Sequence, residues 1–90
     1  MNCSVSIIIP NYNGRKLLEE NLPSVIAAMK FACTDYEIII SDDASVDGSV
    51  AFLKEKYSEI IVLTAAKNSG FSAAANQGIK EAKKQLILLL

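Results

Sequence analysis

Histidine is absent from these 90 residues, and with it go the commonest zinc ligand and the usual general base. Cysteine is scarce. Cys3 and Cys33 lie far apart and form no CxxC pair, so both are expected as small buried apolar residues in a reduced, cytoplasmic setting. Charge of one sign is not in excess: nine Lys and Arg against ten Asp and Glu leave a net −1, without the basic footprint of a nucleic-acid binder. Long apolar runs are missing too. None exceeds five residues, the length of 86–90, far short of the ~20 a membrane helix needs. The start Met1-Asn2-Cys3-Ser4 has no basic segment, and Pro10-Asn11 interrupts the first apolar stretch, so no signal peptide is expected. Glycine numbers four, with no GxGxxG after the first strand and no Walker lysine loop, which removes most of the case for dinucleotide or P-loop chemistry.

What is present reads as one small folded unit. An apolar fraction of 51% with 21% charged residues is incompatible with a disordered chain. Strand and helix signals alternate. Residues 5–9, 36–40, 60–63 and 86–90 are near-continuous apolar runs, as a parallel sheet covered on both faces requires. The first run is expected to end at Pro10, which a central strand does not hold. Leu18, Leu22, Val25, Ile26 and Met29 recur at helical spacing, after a start at Asn13-Gly14 and with a kink or short break expected at Pro23. Val50, Leu53 and Tyr57 mark a second helix with Asp47 as its N-cap. Phe71, Ala75, Ile79 and Ala82 mark a third, opening at Ser69-Gly70, with Lys80, Lys83 and Lys84 in its last turns. The order βαβαβαβ with right-handed crossovers gives a doubly wound α/β unit whose ligands bind at the carboxyl ends of the strands.

Three loops fall at that rim. In the first, Tyr12 either stacks on a planar ligand or packs over the sheet's end, and Asn13 holds the turn or caps the helix. In the second, the adjacent carboxylates Asp42 and Asp43 repel unless a cation or hydrogen-bond donors hold them; they bind a base or ribose, or simply brace an acidic turn. In the third, residues 67–71 open a helix whose exposed N–H groups suit phosphate, with Lys67 nearby. Phe71 reads as core rather than ligand-binding. Asn76, between Ala75 and Gly78, is expected to bond a neighbouring loop across a close packing contact.

Three segments in series, VSIIIPNYN over 5–13, EIIISDDASVDGS over 37–49 and NSGFSAAANQG over 68–78, resemble the start of a family 2 glycosyltransferase with the GT-A fold. The resemblance implies a three-layer α/β/α Rossmann-like parallel sheet with strand order 3-2-1-4. It also implies transfer of a sugar, with inversion, from a nucleotide-diphosphate donor (a UDP-sugar favoured) to a saccharide or lipid-linked acceptor. On that resemblance Pro10, Tyr12, Asn13, Asp42 and Asp43 belong to the nucleotide-binding site: Pro10 and Tyr12 border the base, Asp43 accepts a base N–H and Asp42 supports that loop. Asn68, Gly70 and Phe71 approach the donor, while Asp47 and Asn76 are supporting residues. Mg²⁺ or Mn²⁺ is implied as the Lewis acid for the diphosphate leaving group.

The family's metal-binding acidic triplet would begin just past Leu90, and its catalytic base further on. Many relatives carry Arg where Ala75 stands. The chain is therefore expected to be the nucleotide-recognition part of a longer enzyme, inactive alone, which in its longer form acts in the cytoplasm or at the inner face of the cell membrane. The apolar fourth strand, as an edge, would favour homo-oligomers. A receiver-like signalling module fits less well. It needs acids after the first strand and an Asp after the third, whereas here the acids follow the second and Thr64-Ala65-Ala66 follows the third.

Overall fold

The computed structural model describes residues 4–32 and 35–90, so the expectation for Cys3 and Cys33 lies outside the described residues. Strands and helices alternate: β1 Ser4–Asn11, α1 Arg15–Ala32, β2 Asp35–Asp42, α2 Ser49–Lys56, β3 Ile61–Thr64, α3 Phe71–Glu81 and β4 Leu86–Leu89. The strands form one parallel sheet in the order β3-β2-β1-β4.

Because side chains alternate across a strand, β1 and β2 serve two layers. Val5, Ile7, Ile38 and Ile40 meet Leu18 and Leu22 of α1, Leu53 of α2 and Ile60 in the main core. Ile8 and Ile39 point the other way and are fully buried. Each such buried Ile contributes roughly 1.5–3 kcal/mol. The helix over that second face is built from small residues: Ala74, Ala75 and Gly78 are its buried positions. A Cβ at Gly78 would press on the Ile8 Cγ2 methyl, so α3 lies against the sheet at a distance only glycine permits there.

That close approach turns α3 about its axis relative to the sequence reading. Ala75 is buried as expected, but Phe71 and Ile79 are exposed and Ala82 is the C-cap. Lys80 sits in the last turn, whereas Lys83 and Lys84 lie beyond the helix. Their backbone amides are drawn to a polar group at the amino ends of the strands: Lys83 N–H donates to Glu37 Oε2 at 2.8 Å, and Lys84 N–H to Ser6 Oγ at 3.0 Å. The buried Ser6 hydroxyl in turn donates to Glu37 Oε2 at 2.6 Å.

Both prolines depart from expectation. Pro10 lies inside β1, not after it. The β4 ladder pairs with β1 from Val5 to Ile8 and ends with the Leu90 N–H donating to Ile8 O at 2.9 Å, so none of its described bonds needs an N–H from Pro10. Helix α1 runs unbroken through Pro23. Pro23 is on the solvent side, where water can take the carbonyl it leaves free, while Leu18 and Leu22 anchor the same helix in the core. Strand β4 is an edge, and residues 86–90 are all 44–58% exposed, so the most apolar strand is the least covered.

Candidate functional site

The carboxyl ends of β1 and β2 bring the first two rim loops together through side chains, not through packing. Asn11, the last residue of β1, is buried and donates its amide to Asp42 Oδ1 at 2.8 Å. Gly14 makes room for it: a Cβ there would stand 2.5 Å from Asn11 Oδ1. Asp42 Oδ2 accepts the Ser45 N–H at 2.9 Å. Ser45 Oγ accepts the Asn13 N–H at 2.8 Å, and Asn13 Oδ1 accepts the Val46 N–H at 2.8 Å. These cross-links hold two residues in the left-handed region, Asn13 at φ 52° and Ala44 at φ 63°. For alanine that region costs roughly 1–2 kcal/mol.

The second carboxylate of the pair serves the third loop. Asp43 is buried, and its two oxygens each accept one backbone N–H, from Ser69 and from Gly70, both at 2.8 Å. The adjacent carboxylates are thus held by N–H donors. Gly70, at φ 99°, has open space around it, so it is glycine for its backbone conformation alone. Asp47 ties the starts of two helices, accepting the Arg15 N–H at 2.9 Å and the Ser49 N–H at 3.0 Å, with the Ser49 hydroxyl also donating to it. The N-cap of α2 is Gly48, so Asp47, expected at that position, stands one residue before it. Burial alone would raise its carboxyl, but bonds from Ser49 and Arg15 outweigh that and hold it below the ordinary Asp value.

The three loops enclose a cleft of about 290 Å³ lined by Pro10, Asn11, Tyr12, Asp43, Asn68, Gly70, Phe71 and Ala74. Tyr12 and Phe71 present exposed rings, at 55% and 64%, and the Asp43 carboxylate forms part of the wall. The sequence reading of Phe71 as core is therefore corrected. The helix turns it outward because small residues take the sheet side. Asn76 is corrected as well. It is exposed on α3, away from the cleft, and makes no hydrogen bond to a neighbouring loop among the described residues. Lys67 is exposed and is not part of the cleft lining. Asn13 and Asp42, expected at the nucleotide-binding site, do not line the cleft either; they tie the first two loops together behind it. Asn11, Ser45 and Ala74 escaped the sequence reading. Asn11 could have been found from its place as a polar residue at the inward end of a buried strand, but nothing near Ser45 marks it.

A divalent metal does not fit these residues. Among the described residues no group of three or more His, Cys, Asp or Glu could hold one, and the Asp42 and Asp43 oxygens already accept four N–H bonds.

The family model described as glycosyl transferase family 2 matches residues 6–90. The chain belongs to this family. A poly(ribitol-phosphate) beta-glucosyltransferase of Bacillus spizizenii is 40% identical over a 90-residue alignment that covers 96% of this chain and 14% of that protein. An undecaprenyl-phosphate 4-deoxy-4-formamido-L-arabinose transferase of Pseudomonas fluorescens is 33% identical, covering 96% and 26%. The crystal structure of S. aureus TarS residues 1–349 in complex with UDP superposes with a TM-score of 0.84 at 27% identity, over 98% of this chain and 27% of that one. This family 2 chain thus spans between about a seventh and a quarter of the length of these two relatives, and its sheet has the expected fold class and strand order.

Proposed function

We propose that this chain is the donor-nucleotide-binding part of a glycosyltransferase that moves a sugar, with inversion, from a nucleotide-diphosphate donor to a saccharide or lipid-linked acceptor. The observation that carries the reading is the joint placement of Tyr12 and Asp43 in one rim cleft of a family 2 chain. TarS solved with UDP and with UDP-GlcNAc favours a UDP-sugar, and the undecaprenyl-phosphate transferases favour a lipid-linked acceptor.

In this reading the exposed Tyr12 ring stacks on the base, with Pro10 along its edge. Asp43 accepts a base N–H through the lone pairs that Ser69 and Gly70 leave free, while Asp42 keeps its loop in place. Asn68, Gly70 and Phe71 form the opposite wall. Asp47 and Asn13 hold the loops and do not touch the donor. A mannosyltransferase from Pyrobaculum calidifontis with the same fold was solved with GDP-Man and Mn²⁺, and Mg²⁺ or Mn²⁺ is the proposed cofactor of the longer enzyme. Its ligands, like the catalytic base, are assigned to residues beyond Leu90, so the 90 residues are read as a binding part without activity of their own.

Calorimetry with UDP, with and without Mn²⁺, tests this on the chain and on the longer protein. The chain binds UDP weakly, with Kd on the order of a millimolar, and without metal dependence; the longer protein binds more tightly and needs the metal. Tight, metal-dependent binding by the 90 residues alone would contradict the placement of the metal ligands.

A further inference from the structure

We propose that Ser45 is a positioning residue that aims the Tyr12 ring into the cleft; the inference rests on the nucleotide reading above. Tyr12 lies between two residues that are both tied to the second loop, and Ser45 is common to both ties. On one side the Asn11 amide reaches Asp42 Oδ1 at 2.8 Å and Ser45 Oγ at 3.4 Å. On the other, the Asn13 N–H donates to Ser45 Oγ at 2.8 Å. Ser45 is itself fixed by its N–H on Asp42 Oδ2, directly after Ala44 in its left-handed conformation. The hydroxyl therefore anchors the chain immediately before and immediately after the aromatic residue. It also supports the left-handed turn at Asn13, which sets the direction in which the chain leaves Tyr12.

The Asn13 N–H is exposed, so water replaces the Ser45 hydroxyl there if it is removed. Fold stability then changes little, while the loop carrying Tyr12 gains freedom that binding must remove. A residue with a merely structural role would show the opposite pattern.

The test is a double-mutant cycle on the chain with UDP as the probe, affinities being read from amide chemical shifts. Ser45→Ala weakens UDP binding about fivefold and lowers the melting temperature by no more than about 5 °C. Ser45→Thr, which keeps the hydroxyl, stays within about twofold of the unmodified chain. In a Tyr12→Leu background Ser45→Ala has no further effect, because the residue acts through the ring. Unchanged UDP affinity in Ser45→Ala, or effects of Ser45→Ala and Tyr12→Leu that multiply, overturns the inference while leaving the nucleotide reading intact. An unmodified chain whose rim amides do not respond to UDP overturns both.

Discussion

The two ends of the central strands solve the same electrostatic problem and differ in what they leave over. At the amino ends, Glu37 takes the Ser6 hydroxyl and the Lys83 amide, and the group only fixes the turn into β4. At the carboxyl ends, Asp42 and Asp43 take amides from Asn11, Ser45, Ser69 and Gly70, yet three loops then stand apart with two exposed rings between them. A carboxylate that satisfies backbone N–H groups is a structural device at either end. A site arises only where that device holds loops open around side chains with nothing to bind within the fold.

The largest expected effect separating the ends is Asp43→Ala. It strands two amides of the third loop, destabilises the chain by roughly 2–4 kcal/mol and removes one wall of the cleft. Denaturant unfolding read against UDP titration checks it. If stability falls and UDP affinity holds, the carboxylate contributes nothing to the site.

Glu37→Gln comes next, at about 1 kcal/mol at neutral pH. Burial raises the Glu37 carboxyl, but the Ser6 hydroxyl, the Lys83 amide and the nearby Lys83 and Lys84 charges together hold it below the ordinary Glu value. The folded state therefore binds fewer protons than the unfolded one around that value. Glu37 contributes its full stability above the ordinary value and loses it as pH falls through the lowered one. Unfolding at several pH values between about 3 and 6 should show a shallower slope in the variant. Equal slopes would remove Glu37 from the account.

Ala44→Gly sharpens the same contrast from the rim. It relieves the left-handed alanine at φ 63°, and the gain is offset in part by the greater freedom of an unfolded glycine. A net stabilisation of up to ~1 kcal/mol is expected in thermal unfolding, whereas destabilisation would mean that the alanine Cβ packs usefully. Tyr12→Ala has the smallest effect on folding, within about 0.5 kcal/mol for an exposed residue, while UDP binding weakens about tenfold.

The layout of this fold could be read from the sequence because it depends on burial. Ile38 to Ile40 fill the covered middle of the sheet and Leu18, Leu22 and Val25 repeat at helical spacing, although the equally apolar residues 86–90 stay half exposed on the edge. The orientation of α3 could not be read, because it is set by one close contact, Gly78 against Ile8, and not by a stripe of large side chains. Phe71 and Ile79 looked like core for the same reason. At the rim, residue types were legible and partners were not. Asp42 and Asp43 are chemically alike, yet one turns back to the first loop and the other across to the third. That choice is made by strand register and loop conformation, and Ser45 carries no mark of it in its neighbours.

The most direct test of the nucleotide reading is an amide chemical-shift map of the isotope-labelled chain during addition of UDP. The largest changes are expected at Tyr12, Asp43 and residues 68–71, with the amides of Ser6, Lys83 and Lys84 at the far end unmoved. Changes centred away from the rim cleft, or none at a large excess of UDP, would contradict it.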